Sequence, residues 1–97
     1  MDEQRYYRYA VARFAPFANV MWDVANEYRL FRDHAWAETM GAFLRECDPY
    51  DHVTSIHGHD DFKFQNSAWA DCAMFQKWDE SGGYDFIPRL WATRKIG

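Results

Sequence analysis

Proline and glycine are scarce in this sequence, with three and five among 97 residues. So few backbone breakers exclude a collagen-like or low-complexity chain, and no stretch reads as a long flexible linker. Cysteine is rarer still. Cys47 and Cys72 lie far apart without C-x-x-C spacing. That excludes a zinc ribbon or a dithiol redox motif and leaves two reduced, partly buried thiols as the expectation. No run approaches the ~20 apolar residues of a membrane span. The start, "MDEQRYYRYA", is charged and aromatic, without the apolar core of a signal peptide. No membrane partner is expected. Positive charge is also in deficit, with a formal net charge of −4 and a pI near 5.4. A surface that tracks phosphates needs a basic patch, so no nucleic-acid partner is expected. Arg89, Arg94 and Lys95, together on one predicted helix, read as a solvated face.

Aromatic residues are what the sequence has in excess: five Trp, six Tyr and eight Phe, 20% of the chain. The length allows one small domain. A domain of that size cannot fully bury them all, so some are expected to face a ligand or a partner.

Asp2 is a candidate N-cap for "EQRYYRYAVARF", where Tyr6, Ala10 and Phe14 recur at helical spacing with Tyr7 and Val11 beside them, an amphipathic helix that ends before Pro16. "NVMWDVA" then reads as an apolar strand. A second helix fits Ala35 to Glu46, with Asp33 as cap and Trp36, Met40, Phe43 and Leu44 on one side. "DPYD" is turn chemistry. "HVTSIH" (52–57) and "DCAMFQ" (71–76) read as further strands, separated by the irregular "GHDDFKFQNSAWA". "FIPRLWATRKI" reads as a last helix, with Pro88 in its first turn. Strands alternating with helices imply a parallel sheet. Three parallel strands would leave both edges bare, as in part of something larger.

Strand alternation groups Met21, Asp23, Ala25 and Glu27 on one face. The same parity groups Val53, Ser55 and His57, and then Cys72, Met74 and Gln76. Each set finishes in a functional side chain at the C-terminal end of its strand: Glu27, His57 and Gln76.

"PFANVMWDVANEY" resembles the N-V-x-W-x-x-x-N-E block of clan A glycoside hydrolases. "YYRYAVARFAPFANVMWDVANEY", "DPYDHVTSIH" and "WADCAMFQ" resemble consecutive blocks of the apiosidase-like catalytic domain, together covering nearly all of residues 5–78. The resemblance implies an α/β fold, a partial (β/α)8 TIM barrel of about three parallel strands with flanking helices. Residues 1–97 would be an internal fragment, from about the third helix to the sixth, and the remainder of the barrel would be supplied elsewhere. It implies a retaining glycosidase acting on plant cell-wall polysaccharide, with Glu27 as general acid/base and Asn26 as sugar ligand. His57 and Gln76 would line the site, and Tyr28 and Trp78 could stack on a sugar ring. The carbohydrate is the partner, and neither cofactor nor metal is implied. The nucleophile would lie beyond these residues, leaving the isolated chain inactive. Two positions depart from the family pattern: Ala18 stands where proline is usual, and Asp51 where a glycine-like turn residue is usual.

Two other readings compete. In "HGHDD", His57 and His59 with Asp60 or Asp61 could ligate zinc in a metal-dependent hydrolase. The aromatic surplus could instead be the binding face of a non-catalytic module that folds from these residues alone.

Overall fold

The computed structural model describes residues 2–58 and 62–75. Helix α1 spans Glu3–Phe14 and helix α2 spans His34–Cys47. Both begin as their caps predict. The Asp2 carboxylate accepts from the Arg5 N–H at 3.1 Å and the Asp33 carboxylate from the Trp36 N–H at 2.8 Å, each satisfying a donor the helix cannot. The two helices meet at their N-terminal ends, where Glu3 accepts from the Trp36 indole at 2.9 Å and pairs with Arg32. Those two donors, the indole first, hold the Glu3 carboxyl below its ordinary range.

The helices differ in what they bury. On α2, Ala37, Met40, Gly41 and Leu44 form an i, i+3, i+4, i+7 stripe against the core. On α1 only Val11 is buried, and Tyr6, Tyr9 and Phe14 are exposed. Of the predicted apolar face, Tyr6 and Phe14 therefore point away from the core, while Val11 and half-buried Tyr7, beside that row, make the inward contact together with Ala15. The rest of the core comes from Val24, Tyr28 and Ile56 and from the irregular segment, through Phe62, Phe64, Trp69 and Ala70. Among the described residues no helix is long and apolar enough to cross a membrane.

The sheet overturns the partial barrel. Two short parallel strands, β1 (Trp22–Asp23) and β2 (Thr54–Ser55), pair Trp22 with Thr54 and Asp23 with Ser55. No third strand joins them among the described residues; a single bridge from His57 to Met74 marks where it was expected. The cause is Asp71. Its carboxylate accepts from the Thr54 N–H at 2.9 Å, the place of a neighbouring strand's carbonyl, while its own N–H donates to the Thr54 carbonyl at 2.8 Å. Ser55 Oγ adds a bond to the Cys72 carbonyl at 2.6 Å. One backbone bond and two bonds through side chains thus stand where a third strand would make its ladder. The result is a small two-helix, two-strand α/β unit. The last predicted helix, with Arg89, Arg94 and Lys95, lies outside the described residues.

A second irregularity shortens β1. The Trp22 and Val24 N–H groups donate to the Val53 and Ser55 carbonyls at 2.8 and 2.9 Å, advancing two residues per rung. In that register the next rung would carry the His57 N–H to Val24. It goes to the Ala25 carbonyl instead, at 3.1 Å, and the Val24 carbonyl accepts from the Tyr7 hydroxyl at 2.6 Å. This is a bulge: one extra residue of β1 is passed over, and α1 satisfies the group left behind. Burial, and next the nearby Glu3 charge, raise the Tyr7 pKa, which keeps the hydroxyl a donor.

Candidate functional site

Beyond the bulge the chain turns sharply at Asn26-Glu27. Asn26 is exposed and Glu27 is half-buried. Glu27 has φ 48° and ψ 44°, the left-handed region, and leads into a 3-10 turn, Tyr28–Leu30. A residue with a Cβ pays for that conformation with about 1–2 kcal/mol, which is why glycine or asparagine usually holds it. The bulge and this turn end the strand parity that grouped Glu27 with Asp23.

His57 lies where it was predicted relative to β1, at the C-terminal end of the sheet. Its N–H bonds the Ala25 carbonyl and also lies 3.2 Å from Asp23 Oδ1. Its ring Nδ1 stands 2.8 Å from Asp23 Oδ2. Asp23 and His57 thus form a dyad across the two strands at the end to which Glu27 is attached. Alternation alone puts Asp23 on this face and gives it no role. The signal for it was available in the spacing, since paired parallel strands set Asp23 diagonally from His57.

Tyr28 is buried, with 2% of its surface exposed, and its ring meets Phe64 edge-on at 5.6 Å between centroids. It anchors the turn to the core and leaves no ring face open for stacking. Gln76, Trp78, His59, Asp60 and Asp61 lie outside the described residues. Among the described residues no three His, Cys, Asp or Glu side chains gather to hold a metal ion. Cys47 and Cys72 are both free thiols, Cys72 exposed.

A heavily bonded carboxylate lies in "DPYD", where the sequence shows turn chemistry alone. Asp48, 6% exposed, accepts from Trp22 Nε1 at 2.8 Å, the Tyr50 N–H at 2.9 Å, the His52 N–H at 3.1 Å and His52 Nδ1 at 2.8 Å. Burial pushes its carboxyl up, but the hydrogen bonds from Trp22, Tyr50 and His52 outweigh it and hold the pKa at about 2. The other ring nitrogen of His52 faces the Phe17 carbonyl at 2.9 Å. Both nitrogens therefore meet acceptors, an arrangement that only the doubly protonated imidazolium satisfies. The bond to Asp48, opposed by desolvation and aided by Phe17, raises the His52 pKa.

This network predicts a stability maximum in mildly acidic solution. Asp48, depressed from 3.8 to about 2, stabilises the fold above pH 3.8 and loses that contribution as pH falls toward 2. His52, raised above 6.5, stabilises the fold fully below 6.5 and loses its contribution as pH rises through the raised value. Urea midpoints measured across pH should fall on both sides of this plateau. His52→Gln should flatten the alkaline limb and leave an acid limb in place, and an unchanged alkaline limb would contradict the imidazolium assignment.

Compared with family models, with curated proteins and with solved structures, the chain matches none.

Proposed function

We propose that this chain carries the acid/base side of a glycoside hydrolase site, with Glu27 as the proton-transferring carboxyl and Asn26 and His57 as sugar-contacting neighbours. The observation that supports this reading is the backbone of Glu27. A carboxylate occupies a left-handed position beside the end of the sheet, where glycine would cost less. Strain kept at a residue with a chemically capable side chain is a mark of functional placement. The sequence block around it, N-V-x-W-x-x-x-N-E, supplies the reaction class. The proposal rests on these residues and not on a barrel.

In the proposed reaction, Glu27 gives its proton to the glycosidic oxygen as a second carboxylate attacks the anomeric carbon. It then takes a proton from the water that releases the sugar. The other carboxylates around the described sheet are engaged: Asp23 with His57, Asp48 with Trp22 and His52, and Asp71 with Thr54 and Arg45. The nucleophile is therefore to be sought outside this group. Residues 1–97 alone are expected to give no turnover. Glu27-dependent activity from them would direct the search to Asp60, Asp61, Asp79 or Glu80.

The test is stereochemical. The full-length protein, incubated with cell-wall oligosaccharides and followed by proton NMR, should release a first product of the same anomeric configuration as the substrate. Inversion would rule out the double-displacement role of Glu27, and the absence of hydrolysis across the panel would sink the reading.

A further inference from the structure

The Asp23–His57 dyad resembles the way hydrolases and metal sites fix an imidazole, and its geometry makes the ring chemically asymmetric. A carboxylate oxygen can only accept, so the 2.8 Å contact at Asp23 Oδ2 places a proton on His57 Nδ1. In the neutral ring Nε2 then carries the lone pair. Asp23 Oδ1 lies 3.2 Å from the His57 backbone N–H, so the carboxylate holds both the main chain and the ring of the same residue. That double grip fixes the ring's orientation as well as its tautomer.

The dyad is also accessible. The Asp23 and His57 side chains retain 31% and 26% of their surface. Among the described residues nothing bonds His57 Nε2. The His57 N–H bonds the carbonyl of Ala25, from which Asn26-Glu27 turns away, so the dyad stands at the root of that turn. A buried structural histidine would have both nitrogens engaged, as His52 does. Among the described residues His57 has one nitrogen fixed and the other without a bond.

We propose that Asp23 is a positioning residue that locks His57 in the Nδ1–H tautomer, and that His57 Nε2 is a hydrogen-bond acceptor for a hydroxyl of the carbohydrate bound beside Glu27. This deepens the glycosidase reading and rests on it for the identity of the ligand. An acceptor at this point selects for a ring hydroxyl. A deoxy sugar at that position would leave the lone pair unpaired and lose affinity. No proton changes hands at His57, so its part is binding and orientation while Glu27 performs the proton transfer.

The test is NMR of the full-length protein labelled with 15N-histidine, held at about pH 8, where an ordinary histidine is neutral. Two-bond proton–nitrogen correlations should report a protonated Nδ1 and an unprotonated Nε2 at His57. Addition of xylan, arabinan or pectin oligosaccharides should shift the Nε2 resonance for at least one of them. Asp23→Asn presents an amide N–H to Nδ1, so it should invert the tautomer. With the sugar that binds, it should raise KM about tenfold while changing kcat less. A wild-type ring protonated at Nε2 would overturn the proposal without any variant having to fold. So would an Nε2 resonance unmoved by every oligosaccharide. An Nε2 shift without hydrolysis would leave the dyad standing and remove the glycosidase reading, so the two can fail separately.

Discussion

If Glu27 is the acid/base group of a glycosidase, as proposed, Glu27→Gln is expected to lower kcat by about 100- to 10,000-fold, the usual contribution of a positioned acid/base group. The amide keeps the size of the side chain and asks nothing new of the backbone, so the unfolding midpoint should stay within about 0.5 kcal/mol of the parent. The loss should depend on the leaving group. Aryl glycosides that depart without protonation should be cleaved nearly normally in the glycosylation step, whereas unactivated sugars should not. Equal loss for all leaving groups would remove the acid role. Glu27→Gly separates chemistry from strain in the same experiment. Glycine holds the left-handed conformation freely, so the variant should be inactive yet more stable by about 1 kcal/mol than Glu27→Ala, which loses the same side-chain contact. A glycine variant no more stable than the alanine variant would mean that the turn stores no strain, and the main support for a functional Glu27 would go with it.

Gly41→Ala is expected to have the largest effect on folding. In an exposed helix this substitution would stabilise by up to about 1 kcal/mol. Here the added Cβ would fall inside the indole of Trp69, which packs directly over the α2 backbone. Trp69 cannot move cheaply. Its Nε1 donates to Glu38 at 2.8 Å, its ring lies 5.1 Å from that of Phe64, and only 4% of it is exposed. Overpacking of this kind costs about 1–3 kcal/mol. Displacing the indole altogether approaches the ~3–5 kcal/mol of deleting a buried tryptophan. Urea denaturation should show a clear fall in midpoint, and an increase would mean that the Gly41–Trp69 packing is misplaced. A smaller ring makes room, so Trp69→Phe in the Gly41→Ala background should recover part of the loss. That non-additivity is the signature of direct contact.

The helices were legible because their determinants are local. Asp2 and Asp33 each sit three residues before the N–H they cap, and Pro16 closes the first helix from within the same stretch. The parallel pairing of the first two strands was legible; the rest of the sheet was not, because its irregularities are set from a distance. Tyr7, on α1, takes the Val24 carbonyl and displaces the ladder, and no pattern within "NVMWDVA" announces that. Asp71 opens the segment that reads as a third strand, yet it spends its carboxylate on Thr54, a role identical in sequence to a solvent-facing loop aspartate. The candidate site divides in the same way: alternation sets His57 at the end of its strand, whereas the Asp48–His52 contact is hidden because "DPYDH" looks complete as a turn. The glycine-like position was informative in an unexpected way: Asp51 adopts φ 62° and keeps an ion pair to Arg45 at 3.1 Å.

The grip of Asp71 on Thr54 also bears on how this molecule behaves in a crowd. A strand whose N–H and carbonyl groups face outward is a template on which any other extended chain can lay itself down. At Thr54 both groups are already taken, by one residue of the same chain, and its N–H is held by a charged oxygen that a foreign strand would have to displace. Asp71→Ala would do more than loosen a loop. It would expose the edge of β2 at Thr54, with β-branched Val53 and Ile56 flanking the strand, the composition from which cross-β assemblies grow. A single residue thus occupies the edge at Thr54 that a foreign strand would need.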